Sequence, residues 1–130
     1  MKLNEIIQGD ALEVLKTFPN ESVDLTVTSP PYDNLREYGG YNFNFEGISK
    51  ELFRVTKKGG VVVWVVGDAT VNGSETGTSF KQALCFKEIG FNLHDTMIYL
   101  KNSNPLPETT RYFQSFEYMF IFSKGTPKTF

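Results

Sequence analysis

The chain has 130 residues and a formal net charge of -2, with 40% hydrophobic and 22% charged residues. These values are typical of one folded globular domain, and they exclude a collagen-like, low-complexity or disordered chain. The slightly acidic balance argues against binding nucleic acid by bulk electrostatics, so any contact with DNA must be local or shared with another chain.

Several classes of protein and site are not expected. The longest apolar run, residues 61–66, is far shorter than the roughly 20 residues that span a bilayer. The N-terminus has no basic stretch followed by a long apolar block, so a secretory signal is not expected. We therefore expect a cytoplasmic setting. The single Cys85 cannot form an internal disulfide, and His94 is the one histidine. No metal site is predicted.

Strand signals alternate with helix signals from the start of the chain, which is the pattern of α/β folds. Residues 5–9 predict a short apolar strand, after which Asp10 is placed as the N-cap of a short helix. Residues 23–28 predict a second strand. Pro30 and Pro31 stop it, because proline cannot donate to a central ladder. We expect this strand to be buried.

The alternation continues in the middle of the chain. Residues 48–57 have apolar side chains at helical spacing, with Gly59 as the C-terminal cap. Residues 61–66 lack polar alternation, which favours a central parallel strand covered on both faces. Ser79 and Gln82 then predict a capping box for another helix. The expected apolar side of that helix consists of Phe80, Ala83, Leu84 and Ile89, and its expected stop is Gly90.

Two further strand-like runs complete the predicted sheet. Residues 97–100 and 118–122 are separated by a polar, proline-bearing loop, and they predict an antiparallel ribbon at the sheet edge. The predicted fold is therefore an open α/β sheet. Ligands of such sheets lie outside the carboxyl ends of the strands, so the candidate segments are those that follow Gly9, Thr28, Val66 and Leu100.

The segment after Thr28 has the most unusual sequence, Ser29-Pro30-Pro31-Tyr32. Each proline fixes φ, removes an N–H and restricts the residue before it, so the loop presents carbonyl oxygens without competing donors. Fixed oxygens that accept both N–H donors of an exocyclic amino group would orient the nitrogen lone pair toward an electrophile on the far side. Tyr32 would stack on a base taken out of a duplex and return about 1 to 3 kcal/mol of lost stacking.

This motif and its flanks resemble a known family. The Ser-Pro-Pro-Tyr of residues 29–32 resembles motif IV of the DNA amino-methyltransferases, which transfer a methyl group from S-adenosylmethionine to N4 of cytosine or N6 of adenine. The blocks at residues 9–15, 51–55 and 58–60 are similar to those around that motif in the permuted group whose catalytic half comes first. The resemblance implies a Rossmann-like methyltransferase open sheet.

The resemblance also assigns roles to individual residues. Ser29 and the carbonyl of Pro30 would hold the target amino group, with Pro31 completing the rigid loop. Tyr32 would stack on the flipped base, and Asp10 would lie near the adenosine portion of the cofactor. Serine in the first motif position is more typical of N4-cytosine enzymes, so cytosine is favoured over adenine.

One part of the family pattern is missing. A complete enzyme of this type has a glycine-rich cofactor loop of the Phe-x-Gly-x-Gly kind, and no glycines of this chain form one. The expectation is a single catalytic subdomain over residues 1–130, without the cofactor loop or the target-recognition region, with an incomplete S-adenosylmethionine site and little or no activity alone.

The missing strands of the family's sheet lie between the strands at 5–9 and 23–28, which leaves two apolar strand edges uncovered. Three arrangements could cover them: collapse of the two strands onto each other, self-association, or a second half supplied separately. The expected partners are therefore DNA together with that second half, a second chain or another copy, without a membrane or a metal.

Other interpretations of the same residues stay open. The Ser-Pro-Pro-Tyr run alone could be a polyproline ligand. Asp10 could be only a helix cap, Asp68 only a turn residue and Cys85 a core residue. A loop with Arg111, Tyr112, Phe113 and Phe116 suits base or phosphate contact, while the last two rings could equally anchor the core. At the level of function, the alternatives are a non-enzymatic remnant or regulatory module that binds DNA or a partner chain, and a subunit of an RNA or small-molecule methyltransferase.

Overall fold

A computed structural model describes residues 1–31, 43–102, 110–112 and 114–128. Its elements in chain order are α1 (Ala11–Lys16), β1 (Val23–Thr28), α2 (Phe45–Val55), β2 (Thr56–Val66), β3 (Thr70–Val71), β4 (Ser74–Glu75), α3 (Thr78–Ile89), β5 (Asn92–Leu100) and β6 (Phe116–Ser123). None of the helices among these residues is long and apolar enough to cross a membrane.

The main sheet has four strands in the order β1-β2-β6-β5, and β3 and β4 form a separate hairpin. β1 is parallel to β2, whereas β6 is antiparallel to both β2 and β5. The predicted open α/β sheet and its antiparallel edge ribbon are therefore confirmed. The ribbon is longer than predicted, because β5 begins at Asn92 rather than at residue 97.

The core lies between the sheet and the helices. Val62, Trp64 and Val66 of β2 are buried, and their register partners on β6 include Phe120 and Phe122, which are buried as well. Side chains from all three helices pack with this cluster, so the described helices share one face of the sheet; they contribute Leu12 and Leu15 from α1, Ile48 and Leu52 from α2, and Ala83 and Phe86 from α3.

The predicted strand at residues 5–9 does not form. These residues are in neither a helix nor a strand, and Ile6 is fully exposed. A strand needs a neighbour for its N–H and C=O groups, and in the described part of the chain no strand pairs with this segment. The segment has thus not collapsed onto β1, which was one of the three expected arrangements.

β1 has the predicted bounds but not the predicted burial. Among the described strands it pairs only with β2, which makes it an edge strand. Leu25 is 58% exposed and Val27 is 65% exposed. An apolar strand is buried only where elements cover its edge and both its faces, and the described residues leave one edge and one face of β1 open.

The second predicted helix begins three residues earlier and ends two residues earlier than expected. It begins at Phe45, where Oδ1 of Asn44 accepts a hydrogen bond from the Gly47 N–H at 2.9 Å, and it ends at Val55. Gly59 is therefore not a helix cap. It lies within β2 with a φ of 83°, at an irregularity where the register with β1 shifts. A left-handed residue within a strand is tolerated there because glycine has no Cβ.

β2 is central, as predicted, but it is covered on one face only. Val62, Trp64 and Val66 face the helices and are buried, whereas the alternate residues Val61 and Val63 are only half-buried. The prediction that both faces are covered is wrong for the described part of the chain, because no described helix packs on the second face.

The start of α3 also differs from the prediction. Gly77, with a φ of 70°, precedes the helix, and Ser79 and Gln82 are both buried with partners outside the helix instead of forming a capping box. Of the expected apolar side, Ala83 is buried, while Phe80 and Leu84 are exposed. The predicted stop at Gly90 is confirmed as the C-cap.

Candidate active site

The Ser-Pro-Pro motif begins directly after the carboxyl end of β1. Thr28, the last residue of that strand, is in register with Trp64 of β2. Ser29 is exposed, Pro30 is buried and Pro31 is half-buried. The motif thus stands at the edge of the sheet where ligands of open α/β folds bind. Tyr32, the fourth residue of the motif, lies outside the described residues.

A cleft of about 530 Å³ adjoins the motif. Its walls come from the N-terminal segment, α1, β1, α2 and the core, and they are mostly apolar. The motif residues Ser29, Pro30 and Pro31 share this cleft with Gly9 and Trp64. Two segments that are far apart in the sequence, before α1 and after β1, therefore border one cavity.

Asp10 acts as the N-cap of α1. Its Oδ1 accepts a hydrogen bond from the Glu13 N–H at 3.1 Å, with the Asp10 backbone in an extended conformation. The structural role proposed for this residue is thereby confirmed. Asp10 is exposed and is not among the cleft-lining residues, although its neighbours Gly9 and Ala11 are. A carboxylate accepts at both of its oxygens, so capping occupies only part of its capacity.

The other charges of α1 are paired with each other. Lys16 Nζ donates to Glu13 Oε1 at 2.8 Å. That hydrogen bond is the largest cause of a raised pKa for Lys16, to which the charges of Glu13, Glu51 and Asp10 add. Lys16 thus balances part of the acidic charge of Glu13 and Asp10 on this helix.

The residues present fit part of a bound S-adenosylmethionine. The apolar cleft suits a purine ring, and the exposed carboxylate of Asp10 stands between the cleft-lining residues Gly9 and Ala11 with acceptor capacity left for a polar group. The sequence has no glycine-rich loop to hold the rest of the cofactor. In the described residues, no cluster of three or more His, Cys, Asp and Glu side chains could hold a metal ion.

Two contacts beside the site were not predicted from sequence. Asp68, just after β2, accepts hydrogen bonds from both the N–H and the hydroxyl of Ser79, each at 2.7 Å. It therefore ties the first turn of α3 to the carboxyl end of the sheet, which makes it more than a turn residue. Arg111 donates to the Thr70 hydroxyl at 3.1 Å and to the Gly73 carbonyl at 3.0 Å, and so joins residues 110–112 to the β3–β4 hairpin.

Trp64 is a buried cleft residue that sequence reasoning missed. It lines the cleft with its neighbours in the core, and its Nε1 donates to Gln82 Oε1 at 2.9 Å. The available signal was its position in the strand: Trp64 is in register with Thr28, the residue just before the motif. That register depends on strand pairing, which the sequence alone did not show.

Comparison with known proteins identifies the family to which the sequence is similar. The sequence model of the DNA methylases, covering N6 and N4 methyltransferases, matches residues 23–130. The orphan methyltransferase M.BamHII of Bacillus amyloliquefaciens is 72% identical over 108 residues, which are 83% of this chain and 41% of that protein. The type II beta methyltransferase M.BslI of Bacillus sp. (strain NEB-606) is 32% identical over an alignment that covers 96% of this chain and 17% of that protein.

Two solved structures are similar in fold. A DNA modification methylase from Thermus thermophilus, in complex with S-adenosyl-L-methionine, has a TM-score of 0.70 and 30% identity, over 94% of this chain and 55% of the other. The cytosine-N4-specific PvuII DNA methyltransferase has a TM-score of 0.72 and 28% identity, over 92% of this chain and 49% of the other.

The chain thus spans about half the length of these solved structures and less than half of M.BamHII. The α/β sheet is that of S-adenosylmethionine-dependent methyltransferases, as expected from the resemblance. Because the family match covers most of the sequence and includes the Ser-Pro-Pro-Tyr motif at the end of β1, the chain belongs to the N6/N4 DNA methylase family.

Proposed function

We propose that this chain supplies the part of a DNA amino-methyltransferase active site that holds the target amino group, on N4 of a flipped cytosine or N6 of a flipped adenine. The observation that carries the proposal is the position of Ser29, Pro30 and Pro31 at the carboxyl end of β1, on the wall of the cleft. Ser29 in the first motif position, together with the similarity to a cytosine-N4-specific enzyme, favours cytosine.

The motif is chemically suited to this role. Pro30 and Pro31 have no N–H, so main-chain acceptors there meet no competing donors. Acceptors that take both amino N–H groups leave the nitrogen lone pair directed at the methyl donor. When bound, S-adenosylmethionine supplies a methyl group on a sulfonium sulfur; transfer forms one nitrogen–carbon bond, breaks the carbon–sulfur bond with its electron pair left on sulfur, and releases one amino proton.

The chain works, in this proposal, as one half of a methyltransferase domain. It has no glycine-rich cofactor loop, and it covers 55% and 49% of two solved relatives. We therefore expect the single subdomain of residues 1–130 to bind S-adenosylmethionine weakly and to turn over little alone. A second half would complete the cofactor site and read the DNA sequence in the cytoplasm.

Reconstitution tests the proposal. The complementary polypeptide is the part of M.BamHII that this chain does not match, since the two proteins are 72% identical where they overlap. Methyl transfer from labelled S-adenosylmethionine to DNA is measured for the chain alone and for the chain co-expressed with that polypeptide. We expect transfer only in the combination. Rapid turnover by the chain alone contradicts the half-domain assignment, and an associated, folded pair without transfer contradicts the function.

Variants of the motif test the proposed roles in the reconstituted pair. Pro30→Ala should lower transfer about tenfold or more, because small displacements of a positioning group are costly. Tyr32→Ala should lower it to a similar extent through lost base stacking. Pro127→Ala is the matched control, since Pro127 follows β6 and is not among the cleft-lining residues. Wild-type rates for both motif variants would remove these residues from the mechanism.

A further inference from the structure

A further cavity, of about 980 Å³, lies at the end of the sheet opposite the Ser-Pro-Pro motif. It is bordered by the amino end of β1, the first half of β2 and the segment after β6. Because β6 is antiparallel to β2, these segments adjoin, and the Gly59 N–H donates to the Lys124 carbonyl at 2.6 Å. We name this cavity the lysine pocket after three of its lining residues, Lys58, Lys124 and Lys128.

Positive charge predominates in the lysine pocket, although the whole chain has a net charge of -2. Asp24 is the one acidic residue among the described lining residues, and its carboxylate already forms an ion pair with Lys57 at 2.9 Å. Lys58 and Lys128 are exposed, and neither has an acidic partner in the part of the chain that the structure describes. Their ammonium groups are therefore available to an anionic ligand.

Lys124 adds a third positive charge in a more sheltered position. Its side chain is 16% exposed, its Nζ donates to the Phe53 carbonyl at 2.8 Å, and the same atom lies 4.5 Å from the centre of the Phe53 ring. These contacts hold the ammonium group in place, while its distance of 3.8 Å from the Glu21 carboxylate is long for an ion pair. A partly desolvated charge attracts an anion more strongly than a fully solvated one.

The size and lining of the pocket indicate a small ligand with a chain of phosphates. Sites for small molecules have volumes of about 300–1,000 Å³, and the lysine pocket lies within that range. Lysine binds phosphate as a point charge, and three lysines can contact successive phosphate groups. Leu25 and Val61 also line the pocket, so an apolar wall lies beside the charged groups and could pack against a flat ring.

We propose that the lysine pocket binds a small polyphosphate ligand of the chemical class of a nucleoside triphosphate, with Lys58, Lys124 and Lys128 at the phosphates. The proposal does not depend on the proposed function, because the pocket lies at the amino end of β1 and the motif follows its carboxyl end. Leu25 lines both cavities, so a ligand in the lysine pocket would contact the strand that carries the motif.

Calorimetric titration of the full chain tests the proposal, with ATP and inorganic tripolyphosphate as probes. Tripolyphosphate has no base, so its binding does not come from the apolar cleft. Lys58→Ala and Lys128→Ala each remove one charge from the pocket. Lys81→Ala is the matched control, since it removes the same charge from an exposed position on α3 that is not among the lining residues. Thermal unfolding checks that each variant is folded.

We expect both probes to bind, with Kd raised about threefold or more in each single variant and about tenfold or more in the double variant. Lys81→Ala should leave Kd unchanged, and added salt should weaken binding of both probes. Failure of the folded wild type to bind tripolyphosphate, or an equal Kd for wild type and the folded double variant, would overturn the proposal.

A DNA duplex serves as a third probe, because its backbone is another source of phosphate groups. Weak duplex binding that does not displace tripolyphosphate is expected for a small-ligand pocket. A duplex that binds more tightly than either small probe, with the same dependence on Lys58 and Lys128, would overturn the assignment to a small ligand.

Discussion

The contact between Trp64 and Gln82 shows how one polar residue can be fitted into an aromatic core. The Trp64 ring packs edge-on against Phe86 with centroids 5.0 Å apart, and its N–H would be left without an acceptor if apolar side chains surrounded it completely. Gln82 supplies that acceptor at 2.9 Å, with both side chains buried. The pair therefore fixes α3 on β2 next to the cleft.

Removing the acceptor should destabilise the fold. Gln82→Ala leaves the buried N–H of Trp64 unpaired, which should lower the free energy of unfolding by about 1 to 3 kcal/mol. Lys81→Ala, at an exposed position of the same helix, should change it by less than about 0.5 kcal/mol. Urea denaturation of the two variants checks the difference. Equal effects would mean that the hydrogen bond contributes nothing beyond helix propensity.

At the scale of elements, the start of α1 was predicted correctly because its cap is local, whereas the equally local cap of α2, Asn44, was not recognised. Asp10 adjoins α1 in the sequence and caps it, as predicted. The acceptor at the start of α3 is Asp68, which lies 11 residues before Ser79 and beyond the β3–β4 hairpin. The capping box predicted from Ser79 and Gln82 was wrong because both side chains bind tertiary partners. Ser79 donates to Asp68, and Gln82 accepts from Trp64.

The Asp68 contact gives a prediction for α3. Asp68→Ala removes two acceptors from the first turn of the helix, so it should lower the free energy of unfolding by about 1 to 2 kcal/mol. Asp68→Asn keeps one side-chain oxygen and should lose less. Thermal unfolding of the three proteins checks the expected order of decreasing stability, which is wild type, Asp68→Asn and Asp68→Ala. If alanine is as stable as wild type, Asp68 is not an anchor for α3.

For the whole molecule, local signals in the sequence were enough to predict the fold class and the place of the motif. Apolar runs marked β1, β2 and the β5–β6 ribbon, and two prolines marked the end of β1. Burial was mispredicted where it depends on neighbours: β1 was expected to be buried and β2 to be covered on both faces. Both expectations require helices on both faces of the sheet. The residues that the structure describes supply helices on one face only.

Hydrogen exchange should distinguish segments that lack a paired strand from segments that have one on both sides. In the chain alone, amides of residues 5–9 should exchange rapidly, because no described strand pairs with them, while amides at the centre of β2 should be protected by strands on both sides. Association with the unmatched part of M.BamHII should slow exchange of residues 5–9 by about tenfold or more, since strand pairing becomes available there.

Mass spectrometry of exchanged peptides, with β6 as the internal reference, measures this change. Strong protection of residues 5–9 in the chain alone would mean that the segment already pairs with β1 or with a second copy, and would contradict the open edge. Protection gained only in the complex would mean that the added polypeptide supplies hydrogen-bond partners to residues 5–9. Because Ile7 and Gly9 line the cleft beside Ser29, the same contact would also bring the added polypeptide to the edge of that cleft.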